Sequence, residues 1–89
     1  MAESKKNKKP LLKQYKVVLI NDEHNSFENV IYALLETFPN MSKTQAQNIA
    51  MAVHEDGKHD VAVAHRELSE TYLVWLEKFG LTVEMVEVA

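Results

Sequence analysis

The chain is 89 residues long, carries a formal net charge of −3 and contains no cysteine. That length makes one small domain with no room for a second catalytic one, and the absent thiols exclude disulfide frameworks, cysteine nucleophiles and cysteine-ligated zinc. The apolar runs are too short to span a bilayer and the lysine-rich start lacks an apolar signal segment, so a cytoplasmic protein with no membrane partner is expected.

The charge is unevenly placed. Residues 1–14 hold Lys5, Lys6, Lys8, Lys9 and Lys13 against Glu3, a local +4, whereas residues 15–89 set five bases against twelve acids, a local −7. The first fourteen residues, with Pro10 and little apolar content, are expected to form a disordered lysine-rich extension, and residues 15–89 the folded domain. An acidic body argues against nucleic acid as a partner, since phosphate contacts need clustered Lys or Arg.

Tyr15 to Ile20 is β-branched and aromatic, as in a strand covered at least in part on both faces. It stops at Asn21-Asp22-Glu23-His24-Asn25-Ser26. Asn25 with Glu28 three residues on predicts a capping box, followed by an apolar stripe of Phe27, Val30, Ile31, Leu34, Leu35 and Phe38 that Pro39 terminates. Ser42 with Gln45 predicts a second box, and Ala46, Ile49, Ala50 and Val53 form the smaller apolar face of the second helix. Gly57 is a left-handed stop after His54. Lys58 to Ala64 alternates as a short strand, and a third helix from about His65 to Phe79 is expected to bury Leu68, Tyr72, Trp75, Leu76 and Phe79. Leu81 to Val88 is a last strand, with a bulge expected at Met85-Val86. The order β-α-α-β-α-β predicts a small α+β sandwich, a three-stranded antiparallel sheet packed on three helices.

Catalysis finds little support. No histidine pair has the one-turn spacing of a zinc hydrolase helix, no strained nucleophile elbow surrounds Ser26, Ser42 or Ser69, and the two glycines, both at helix ends, make no phosphate loop. No catalytic residue, metal or cofactor is expected. Asn21, Asp22 and Glu23 crowd acceptor oxygens into three residues, which suits either a polar turn or a site for a donor-rich cation.

The run Tyr15-Lys16-Val17-Val18-Leu19-Ile20-Asn21-Asp22-Glu23, the helix start Phe27-Glu28-Asn29-Val30-Ile31, the stretch Ala52-Val53-His54-Glu55-Asp56-Gly57-Lys58 and Glu67-Leu68-Ser69-Glu70-Thr71 resemble, in order and spacing, the ClpS family. The resemblance covers about residues 13–89 and implies an adaptor. Such an adaptor binds N-degron proteins and peptides through a free N-terminal bulky hydrophobic residue and delivers them to a Clp AAA+ unfoldase and its peptidase. A monomer that docks on the unfoldase N-domain is expected. The alternative is a same-fold interaction module that docks on an ATPase or ribosomal partner without reading N-termini.

By that resemblance Asn21, Asp22 and His54 would receive the α-amino group, which has a pKa near ~8 and so is mostly an ammonium with three donors at neutral pH. Charge-assisted bonds of roughly 1.5–3 kcal/mol each, with burial of one large apolar side chain, suit micromolar to submicromolar recognition. Asn25, Phe27, Val30, Ala50, Val53 and Leu81 would line the apolar pocket. Phe27 stands where a methionine is common in the family and Ala50 where a larger methionine or leucine is, and the two departures imply a different ranking of first residues. Glu67 and Tyr72 would face the unfoldase, Tyr72 standing where a lysine is common.

Overall fold

The computed structural model describes residues 13–88; the disorder expected of residues 1–12 lies outside that range. Strand β1 (Gln14–Ile20) is followed by helices α1 (Phe27–Thr37) and α2 (Lys43–Asp56), strand β2 (Lys58–His65), helix α3 (Arg66–Lys78) and strand β3 (Thr82–Glu87). β1 is the central strand, antiparallel to both neighbours, in the order β2-β1-β3. Val17, Val18 and Leu19 are all buried, Val18 on the opposite face of the strand from Val17 and Leu19. Val17 and Leu19 point into a core completed by Ala33 and Leu34 of α1, Ala46 and Val53 of α2, Leu76 of α3 and Leu81. The sandwich is thus the one the periodicity predicts.

Three local expectations are corrected. The cap of α1 is Ser26, whose Oγ accepts from the Asn29 backbone N–H at 3.0 Å; Asn25 instead has its own N–H turned onto Asp22. Both residue types cap well, and a one-residue shift leaves the apolar stripe unchanged, so composition alone does not separate them. Met85-Val86 is not bulged: β3 pairs with β1 in unbroken register from Tyr15↔Glu87 to Ile20↔Thr82, and the irregularity lies between Val17 and Val18 against β2. Finally, Leu68 and Trp75 are not core. They remain 38% and 49% exposed, because the apolar residues of α3 wrap more of the helix than one sheet face can cover.

Other expectations stand as read. Ser42 and Gln45 form the reciprocal capping box, at 3.1 and 2.9 Å, and Gly57 closes α2 at φ 90° with its N–H on Val53 O. α3, expected from about His65, runs from Arg66 with His65 as its cap through Nδ1. Ser69 is wholly buried, its hydroxyl donating to the Ala64 and Tyr15 carbonyls, so this serine ties α3 to β1 and β2.

Candidate functional site

The end of β1 and the end of α2 meet through one backbone bond: Asn21 N–H donates to Gly57 O at 2.9 Å. Gly57 can offer that carbonyl because its left-handed conformation turns the chain out of α2 and straight into β2, where Lys58 pairs with Ile20. The bond brings Asn21 toward the last turn of α2, which carries His54. Among the described residues neither the Asn21 nor the His54 side chain has a hydrogen-bond partner in the chain, and both are exposed.

Asp22 is placed differently. Its Oδ1 accepts from the backbone N–H of His24 and of Asn25, at 2.9 and 3.0 Å, and from Asn25 Nδ2 at 3.1 Å. Oδ2 accepts from Asn25 Nδ2 at 3.0 Å and from the Thr82 hydroxyl at 2.7 Å. The network continues outward, with Asn25 Nδ2 donating to Gly80 O, and Asn29 Nδ2 donating to Asn25 Oδ1 and Phe79 O. Hydrogen bonds to the charged form, the one from Thr82 foremost, hold the Asp22 carboxyl below the ordinary carboxylate range. The loop after β1 is thereby stapled to the turn between α3 and β3, where Gly80 adopts φ 88°.

Beneath this network lies a small cavity lined by Leu19, Ile20, Asn21, Asp22, Asn25, Val30, Val53 and Leu81. Its volume is about 20 Å³, the scale of a single water site. Asn25, Val30, Val53 and Leu81 are therefore together, as expected, but Ala50 and Phe27 are not with them. Ala50 is buried on α2, three residues before Val53, and is not among the residues that line the cavity. Phe27, in the first turn of α1, lines a separate groove of about 400 Å³ with Asn25, Met51 and His54. Of the two residues expected to meet the unfoldase, Glu67 is exposed and lines a depression on α3 with Glu70, Thr71, Val74 and Trp75. Tyr72 turns away from it and packs at a tilt of 49° against Phe38, ring centroids 4.7 Å apart, half-buried; five residues along a helix put it about 140° from Glu67.

With this geometry in place, comparison with known proteins decides the family. The family model described as "ATP-dependent Clp protease adaptor protein ClpS" matches residues 8–84. This chain belongs to the ClpS family. The ClpS adaptor of Thermosynechococcus vestitus is 36% identical over 73 residues, covering 82% of this chain and 78% of that one. That of Nostoc sp. is 35% identical over 75 residues, covering 84% and 77%. Among solved structures, Agrobacterium tumefaciens ClpS2 bound to L-phenylalaninamide superposes with a TM-score of 0.81 at 28% identity, covering 85% of this chain and 98% of that one. The ClpS fold thus agrees with the sandwich built above, and as a family member the chain is a Clp protease adaptor rather than the protease.

Reading the sequence missed Thr82, Asn29 and Met51. Asn29 had a visible signal, one helical turn after Asn25. Thr82 had none until the register set it opposite Ile20, two residues from Asp22. Among the described residues no group of His, Asp and Glu is placed to hold a metal ion, and no helix is long and apolar enough to cross a membrane.

Proposed function

We propose that this ClpS-family adaptor binds polypeptides by a free N-terminal Leu, Phe, Tyr or Trp and delivers them to a Clp AAA+ unfoldase-peptidase. The observation that carries the reading is the bond from Asn21 N–H to Gly57 O, which ties the strand end to the last turn of α2 that carries His54, beside a small cavity that Asn21 lines with Val30, Val53 and Leu81. The Asn21 side-chain oxygen and a neutral His54 ring nitrogen accept from the ligand ammonium. Asp22 acts mainly as a positioning residue. Its oxygens are engaged by Thr82, Asn25 and the His24 N–H, so it holds the loop that presents Asn21 and adds a fixed negative charge next to the ammonium. The ligand named for the Agrobacterium relative, a phenylalanine with a free amino group and an amidated carboxyl, has the chemistry this arrangement suits.

A bulky side chain does not fit a space of about 20 Å³. Seating one requires Val30, Val53 and Leu81 to part by rotamer changes, with Asn25 as the polar rim. Leu81 is best placed to yield, since it lies between the Gly80 turn and the first residue of β3. Docking on the unfoldase N-domain is assigned to the outer face of α3 around Glu67, while Tyr72 supports that helix from below through Phe38.

The direct test is degradation of a reporter by a Clp unfoldase-peptidase. Adding the protein should accelerate degradation of a Phe- or Leu-leading reporter at least several-fold and leave a Met-leading one unchanged. Equal acceleration of both would refute first-residue recognition.

A further inference from the structure

Of the residues lining the small cavity, Leu81 alone comes from the turn that follows α3. That turn is fastened from two directions. Toward its own helix, the Gly80 and Leu81 N–H groups donate to Glu77 O and Leu76 O at 2.9 and 3.2 Å. From the other direction it is held by Asn25, Asn29 and Tyr32, which recur at helical spacing along one side of α1 and the residues just before it. Asn25 Nδ2 donates to Gly80 O at 2.9 Å, Asn29 Nδ2 donates to Phe79 O at 3.2 Å, and Tyr32 sits edge-on to Phe79 with ring centroids 5.6 Å apart. A second bond from Asn29 Nδ2, to Asn25 Oδ1 at 2.6 Å, fixes which way the Asn25 amide faces and so keeps its Nδ2 on Gly80 O. Carbonyls at the end of a helix need donors from somewhere, which accounts for Phe79 O and Gly80 O being bonded. It does not account for the donors coming from the segment that also supplies Asn25 and Val30 to the cavity.

We infer that Asn29 is a specificity-determining positioning residue: with Asn25 it latches the turn Phe79-Gly80-Leu81 to α1, limits how far Leu81 can retreat, and so biases the site toward a first residue of Leu and against Trp. The inference rests on the first-residue reading above and adds to it a rule for ranking first residues. A cavity of about 20 Å³ admits either side chain only by moving its walls. Both amide bonds land on carbonyls within two residues of Leu81, so the turn swings outward only by stretching them. The larger the entering side chain, the larger the swing, and the cost falls most heavily on the indole. Asn29 itself does not line the cavity, so it acts through Asn25 and the turn rather than by touching the ligand.

The test measures the affinity of the full chain for two peptides that differ only in a free N-terminal Leu or Trp, with the native protein, Asn29→Ala and Asn29→Asp. Alanine is the better helix former, so the first variant keeps α1, and aspartate keeps the shape of asparagine while removing both donors. Each substitution should move the ratio of the two affinities about threefold to fivefold toward Trp, part of the worth of one hydrogen bond. Ser69→Ala controls for general loosening, since it removes the buried hydroxyl that ties α3 to the sheet and leaves the latch intact. It should keep the ratio within about twofold of the native value. A ratio unmoved by both Asn29 substitutions, or moved as far by Ser69→Ala, would overturn the latch. An acetylated Leu-leading control separates the two readings: if it binds the native protein as well as the free peptide does, the first-residue reading has failed, and if acetylation abolishes binding while the ratio stays fixed, the latch alone has failed.

Discussion

Two sides of one small site use polar residues in opposite ways. On the β1–α1 side, Asp22, Asn25 and Asn29 satisfy one another and reach across to Thr82, Gly80 and Phe79, so nearly every donor and acceptor is matched within the chain. On the α2 side, Asn21 and His54 are exposed, and among the described residues their side chains have no hydrogen-bond partner. In the proposed reading the first side is a frame and the second a receptor. Residues of the same chemical type, Asn21 and Asn25, four positions apart, differ because one lies at the end of a strand and the other within reach of a carboxylate.

The comparison breaks most sharply under mutation. Asn21→Ala and His54→Ala should each weaken a free Phe-leading peptide by tenfold to over a hundredfold, the worth of one hydrogen bond to a charged group. Neither should shift unfolding by more than about 0.5 kcal/mol, because both side chains are exposed and have no hydrogen-bond partner among the described residues. Asp22→Ala should behave otherwise, weakening the peptide and also costing about 1–2 kcal/mol in denaturant unfolding. That figure is kept at the low end for several bonds to a carboxylate because the group is half-exposed and screened. A variant of Asp22 with unaltered stability would erase the distinction between frame and receptor.

Thr82→Val sharpens the frame side with a smaller effect. The Thr82 hydroxyl is the largest cause of the lowered Asp22 pKa, so its removal should move the Asp22 carboxyl titration upward, as followed by carbon NMR of that side chain. The sign for stability follows from linkage. A carboxyl whose folded pKa is depressed contributes stability that is complete above its unfolded value and lost as pH falls through the folded one. The native protein should therefore lose this contribution only below about pH 4, and Thr82→Val should have less of it to lose. Peptide affinity should fall only a few-fold, since Asn25 still holds the loop.

These predictions also mark how far the sequence could be read. The strand end at Asn21-Asp22 is legible because an apolar run stops there abruptly, and Gly57 is legible because a helix face ends at it. The partnership of Asp22 with Thr82 is not, since sixty positions separate them and only the register of β3 on β1 joins them. Ala50 and Phe27 looked like pocket residues by position in the family pattern. Ala50 is buried but does not line the small cavity, and Phe27, at the first turn of α1, lines the next groove. Leu68 and Trp75 looked like core because helical spacing identifies apolar positions, not how much sheet is available to cover them.

The smallest effect belongs to that exposed face. Trp75 lies under the Lys78 ammonium, 5.0 Å from its ring centroid, and is otherwise half in solvent. Trp75→Ser should change stability by less than about 0.5 kcal/mol and leave peptide affinity untouched. On the proposed docking face it should nevertheless reduce binding to an isolated unfoldase N-domain, which a pull-down of purified components would show.

The central claim is that Asn21 and His54 form a receptor for an ammonium group. The most direct measurement is a calorimetric titration of the full chain with one Phe-leading peptide, free and acetylated at its N-terminus. Acetylation removes the charge and two of the three donors while leaving the aromatic side chain intact. The account predicts micromolar or tighter binding of the free peptide and a loss of at least a hundredfold on acetylation. Equal affinity for both forms would contradict it, and would make this a ClpS-fold module that engages its partners without reading N-termini.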